Sequence, residues 1–97
     1  MKLFVEVHYQ VKPRKREEFY RKIQEQGIDT DSRAEAGNIK YDYYYAIDDP
    51  DSICLIEAWT DGEAQIAHGS TAHYAKLTAL KNEYVVKAEV LKYNIAD

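Results

Sequence analysis

The chain has 97 residues, with 13 Lys+Arg against 17 Asp+Glu, a formal charge of −4 with histidine neutral. That length holds a single domain, residues 1–97, and its 45% hydrophobic and 31% charged residues exclude intrinsic disorder. The acidic balance argues against a nucleic-acid partner, which needs clustered Lys and Arg, and no run of 18 apolar residues exists to cross a membrane.

In chain order, Met1–Glu6 has an acid at its sixth position and no long apolar stretch, so it does not read as a signal peptide. Leu3, Val5, Val7, Tyr9 and Val11 alternate with Phe4, Glu6, His8 and Gln10, the period of a strand. Pro13 suits the first turn of a helix. Phe19, Tyr20 and Ile23 lie at helical spacing, which predicts an amphipathic helix over about 14–26. The basic cluster Lys12–Arg16 runs straight into Glu17 and Glu18 and reads as a solvated helix start. Gly27 weakens this helix, a further turn over 32–36 is open, and Gly37-Asn38 is a helix stop.

Ile39, Tyr41, Tyr43, Tyr45 and Ile47 form one face of a second strand. Asp48-Asp49-Pro50-Asp51 is a turn, and Ile53–Trp59 is a third strand that closes an antiparallel hairpin. Cys54, the one cysteine, permits no internal disulfide; it reads as a small buried hydrophobe, and a reducing cytoplasm is the expected location. Thr60-Asp61-Gly62-Glu63 has the form of a capping box for a short helix over about 61–67. Ser70 or Thr71 caps another helix to about Leu80, and Val85–Ile95 is a last strand.

This order predicts an α+β fold of the ferredoxin-like, split βαβ type (β-α-β-β-α-β), with a four-stranded antiparallel sheet and helices on one face. Several strands carry apolar residues on both faces, so the uncovered face needs a partner. A second copy, sheet against sheet, is the simplest one, and a homodimer is expected. The four glycines are isolated, which removes the usual grounds for a nucleotide or flavin site.

The segment from Glu57 to His68 is the richest in chemistry. Glu57 shares a strand face with Leu55 and Trp59. A carboxylate there is either paired structurally or an acid–base group in a cavity. His68 either satisfies a helix end or acts as a general acid–base, since imidazole titrates near neutral pH. His73, five residues on, would point roughly 140° away in an unbroken helix, but Gly69-Ser70 interrupts it. Two histidines without an evident third ligand do not make a metal site, so no metal is expected.

Ala34-Glu35-Ala36-Gly37-Asn38-Ile39-Lys40-Tyr41-Asp42, Ile56-Glu57-Ala58-Trp59-Thr60-Asp61, Ala67-His68 and His73-Tyr74 together resemble the antibiotic biosynthesis monooxygenase family. They are most similar to its small quinol monooxygenase and autoinducer-phosphate isomerase branch. The resemblance implies a dimeric α+β barrel. The haem-degrading members carry Asn, Trp and His where this chain has Val7, His68 and Thr78, and the isomerases carry a helix histidine where this chain has none between His8 and His68.

The resemblance therefore implies a monooxygenase that needs no cofactor and oxidises a quinol or phenolic aromatic with O2. His68 would be the base, with His73 and Tyr74 orienting substrate or donating to the developing oxyanion. Asn38 would donate a hydrogen bond, Tyr41, Tyr43, Tyr45 and Trp59 would supply aromatic walls, and Glu57 would contact substrate. Two alternatives stand beside it. One is isomerisation of a small phosphorylated keto-sugar, with Arg33, Lys40 and Lys76 as phosphate candidates; the other is a non-catalytic module that binds a small ligand.

Overall fold

The structure, a computed structural model that describes residues 1–96, turns the first alternation into strand β1 (Lys2–Val11). Leu3, Val5, Val7, Tyr9 and Val11 are all buried, as period two requires of a half-covered strand. The chain continues through α1 (Arg16–Glu25), α2 (Ile28–Arg33), β2 (Asn38–Tyr45), β3 (Ser52–Trp59), α3 (Gly62–His68), α4 (Ala72–Tyr84) and β4 (Val85–Ile95). The four strands form one antiparallel sheet in the order β2-β3-β1-β4. This is the expected ferredoxin-like arrangement, and the last strand has the predicted bounds.

Several local expectations are corrected. Pro13 lies in a turn before α1, and Arg14 takes a left-handed φ of 64° while its backbone N–H donates to Asp51 Oδ1 at 3.0 Å. The helix therefore starts at Arg16. Gly27, with φ 69°, ends the α1 direction and starts α2, whose Ile28 and Ser32 are buried. In β2 the register shifts between Asn38 and Lys40, which turns Ile39 out to solvent. Tyr45 and Ile47 are exposed as well, so Tyr41 is the buried tyrosine of that face and Tyr43 is half-buried. Cys54 is half-buried on the outer side of β3 rather than in the core. Asp61, not Thr60, caps α3, accepting Ala64 N–H at 2.9 Å.

The core lies between the inner sheet face and the helices. Phe19 and Ile23 of α1, Ile28 of α2, and Leu77, Leu80 and Tyr84 of α4 pack on Val5, Val7, Tyr9, Leu55 and Trp59. Arg16 fastens the β2–β3 loop by donating to the carbonyls of Ala46, Asp49 and Ser52 at 3.0–3.2 Å, and it stacks 3.9 Å from the Tyr45 ring. The outer face of the sheet carries Phe4, Cys54 and Ile56, which are half-buried, and Leu91 and Tyr93, which are exposed. No helix among the described residues is long and apolar enough to cross a membrane.

Candidate active site

The break between α3 and α4 builds the site. Thr71 caps α4 by accepting Tyr74 N–H at 3.1 Å, and its hydroxyl donates back to the His68 carbonyl at 2.8 Å. One residue thus ties the end of α3 to the start of α4. The interruption overcomes the angular separation of a continuous helix, and the His68 and His73 rings come to 5.7 Å between centroids.

Both rings meet a group that the spacing alone did not reveal. Glu35 Oε2 accepts from His68 Nδ1 at 2.5 Å and from His73 Nε2 at 2.7 Å. Glu35 lies on the short loop between α2 and β2, two residues before Gly37. Gly37 has φ 86°, and a Cβ there would lie 2.8 Å from both Ala64 Cβ and Thr60 Oγ1. The glycine lets this loop close on α3 and so brings Glu35 to the histidines.

The hydrogen bonds set the tautomer. A carboxylate accepts, so His68 carries its proton on Nδ1, and Nε2 is the basic nitrogen of the neutral ring. His68 is buried, with the Trp59 ring centroid 4.9 Å away and those of Tyr41 and Tyr74 at 5.6 and 5.2 Å. Among the described residues its Nε2 has no hydrogen-bond partner, yet the sole fully buried, unpartnered side-chain nitrogen or oxygen among them is Arg16 Nε. His68 Nε2 therefore keeps access to the cavity that its ring lines.

That cavity has a volume of about 230 Å³ and lies between the inner sheet face and helices α3 and α4. Val5, Val7 and Tyr9 of β1, Glu57 of β3 and Val90 and Lys92 of β4 form its floor, and Gln65, His68, Tyr74, Leu77 and Lys81 form its roof. Glu57 Oε1 accepts the indole N–H of Trp59 at 3.0 Å. Burial raises the Glu57 carboxyl above its ordinary range, against the opposing Trp59 hydrogen bond and the nearby His68, Lys81 and Lys92.

An acid whose pKa is higher folded than unfolded binds more protons when folded, so stability falls as pH rises from its unfolded value, about 4.3, through the raised one. Glu57→Gln keeps the shape and cannot ionise. Its melting temperature should gain on that of the wild type as pH is raised from below 4 to neutral. Thermal unfolding over that range checks this, and a constant difference between the two proteins contradicts it.

The remaining candidates fall in different places. Tyr74 lines the cavity, while His73, at the start of α4, is not part of that lining and hydrogen-bonds Glu35. Trp59 and Tyr41 pack against the His68 ring from the core, and the Tyr41 and Tyr43 hydroxyls lie 3.2 Å apart. Asn38 is outside the cavity. Its Nδ2 donates to the Lys40 carbonyl at 3.1 Å and the Ala58 carbonyl at 3.5 Å, across the β2 irregularity.

Arg33 and Lys40, two of the phosphate candidates, are both engaged with Asp42, at 3.5 and 2.7 Å. The cationic groups at the cavity are instead Lys81 and Lys92. The third donor judged missing for a metal is Glu35. Its carboxylate oxygen and one nitrogen each of His68 and His73 lie within 4.8 Å of one another, a set that could hold a metal ion.

The chain belongs to the antibiotic biosynthesis monooxygenase family, whose model matches residues 3–80. It is 33% identical over 81 residues to the Bacillus subtilis protein named "Putative monooxygenase YcnE", covering 84% of this chain and 83% of that one. Among solved structures it is similar to a "Putative antibiotic biosynthesis monooxygenase from Nitrosomonas europaea", with 26% identity, a TM-score of 0.87 and coverage of 95% and 88% of the two chains. A conserved protein from Methanosarcina mazei Go1 is similar at 26% identity and a TM-score of 0.86, over 96% of this chain and 91% of that one. Family membership supports a monooxygenase-like role.

Proposed function

We propose that the protein is a monooxygenase that needs no cofactor and oxidises a quinol or phenolic aromatic with O2. The observation that carries this reading is the Glu35–His68 pair: a base held in one tautomer, with its free nitrogen open to an aromatic and aliphatic cavity. His68 Nε2 takes the substrate's hydroxyl proton, and the Glu35 carboxylate stabilises the imidazolium that forms. The electron-rich anion passes one electron to O2, and the two radicals join as a carbon–oxygen bond.

The resulting peroxide regains a proton from His68. Loss of the ring hydrogen with cleavage of the O–O bond then gives a quinone and water. One oxygen atom enters the product and the other leaves as water, so no external reductant is needed. Tyr74, on the cavity wall, orients the ring, and His73 acts through Glu35. Glu57 contacts substrate across the cavity with Trp59 as its donor, while Tyr41 and Tyr43 support His68 from the core. Asn38, at the β2 irregularity, takes a positioning role from outside the cavity.

The working unit is a homodimer in which the outer sheet faces meet, because Phe4, Cys54, Ile56, Leu91 and Tyr93 would otherwise face water together. A monomer at micromolar concentration in analytical ultracentrifugation contradicts that part.

Dissolved-oxygen consumption with a panel of hydroquinones and polycyclic phenols tests the activity, with autoxidation subtracted. Uptake that depends on the enzyme and falls in His68→Ala supports the reading. A stoichiometric zinc or iron ion, lost when His68 and His73 are both replaced, overturns its cofactor-free part. No uptake across the panel moves the weight to an isomerase or a binding module.

A further inference from the structure

The cavity differs in charge from the molecule around it. The chain as a whole carries −4, yet the cavity wall presents two ammonium groups, Lys81 and Lys92, against one carboxyl, Glu57. They do not neutralise one another directly. Among the described residues neither lysine forms a hydrogen bond to a side chain or a salt bridge. Lys92 and Glu57 occupy the same cross-strand row, each opposite Val5, so two strand spacings, roughly 9–10 Å, separate their backbones.

Lys81 stands across from them on α4, half-buried, with its Nζ 5.4 Å from the Tyr74 ring centroid. Burial lowers its pKa, opposed only in part by the charge of Glu57, so holding the ammonium there costs stability. A lysine that served the fold alone would reach past the rim to water or pair with a carboxylate. This one faces the space in which His68 Nε2 is free.

We propose that the cavity takes an aromatic ligand that carries an anionic oxygen group, a carboxylate in particular, with Lys81 as the residue that binds it and Lys92 as a second cation at the rim. This rests on the cavity being the substrate site, and it narrows the substrate from phenols in general to acidic ones. The ring lies between Tyr74 and the valines of the sheet, the carboxylate meets Lys81, and an adjacent hydroxyl is left for His68. The shared chemistry, an anion on an organic frame, would also suit a sugar phosphate, so the test separates the two.

Titration calorimetry with 1-hydroxy-2-naphthoate, 1-naphthol and inorganic phosphate measures binding without turnover. The expected result is naphthoate binding at least tenfold tighter than naphthol, weakened roughly 10- to 100-fold in Lys81→Met and largely restored in Lys81→Arg. Naphthol binding should be unchanged in both variants. Lys81→Met should melt at or above the wild-type temperature, which separates lost binding from lost folding.

Equal affinity for the charged and neutral rings overturns the proposal. So does naphthoate binding that ignores Lys81, binding of phosphate alone, or binding of none of the three. Oxygen uptake with uncharged phenols would survive each of those failures, and a failure of oxygen uptake would leave the charge preference measurable.

Discussion

Replacing Trp59 by Ala is expected to lower the unfolding free energy by about 3–5 kcal/mol, the range for deleting a large aromatic side chain from a packed core. The indole is 0% exposed. It sits at the end of β3, its ring lies against His68, and its N–H holds Glu57 Oε1 at 3.0 Å. The substitution therefore opens a cavity and also strips the donor from a buried carboxyl. Trp59→Phe separates the two effects. It keeps most of the volume and loses the hydrogen bond, for an expected cost of about 1–3 kcal/mol. Urea denaturation at neutral pH measures both. A loss below about 1 kcal/mol for Trp59→Ala would contradict the placement of the indole in the core.

The second large effect concerns turnover. His68→Ala should reduce kcat by roughly 10²–10⁴-fold, the contribution of a positioned base. Glu35→Gln should lose part of that while folding normally. Gln can present an NH2 group to His68 Nδ1, which favours the tautomer with its proton on Nε2 and blocks the base. The pH dependence of kcat should change in Glu35→Gln, because the carboxylate no longer stabilises the imidazolium. His73→Gln should have a smaller effect than either, since His73 packs against His68 and bonds Glu35 without lining the cavity. A Glu35→Gln enzyme with wild-type kcat and pH profile would remove Glu35 from the mechanism.

Much of this architecture is legible in the residues. The alternation of Leu3 to Val11 and of Ile53 to Trp59 places the inner face because the pleat leaves a half-covered strand no other solution. The bounds of β4 follow from a β-rich run that ends the chain. The second strand was less readable. Ile39, Tyr41, Tyr43, Tyr45 and Ile47 fall at every second position, and nothing in Asn38-Ile39-Lys40 announces the irregularity that turns Ile39 outward. The start of α1 was displaced because Pro13 satisfies the rule for a first helical turn equally well in the turn that precedes it.

At the site, His68, Tyr74 and Glu57 stand out as polar groups at the edge of apolar segments. Glu35 does not, being one acid among 17. Its role depends on the loop closing on α3 at Gly37, a tertiary contact with no local signature. Lys81 reads in the sequence as an ordinary solvated helix residue. Only the packing of α4 over the sheet places it on the cavity wall, half-buried and, among the described residues, without a salt bridge.

The measurement that bears most directly on the central claim is anaerobic mixing of the protein with a quinol or phenol, followed by ultraviolet absorbance of the bound anion. Without oxygen the reaction stops after the first proton transfer. The wild type should show the substrate anion at a pH where the free phenol is protonated, His68→Ala should show none, and admission of oxygen should discharge the signal as product forms. Oxygen uptake by a wild type that shows no bound anion, or an equal anion signal in His68→Ala, would contradict the assignment of His68 as the base.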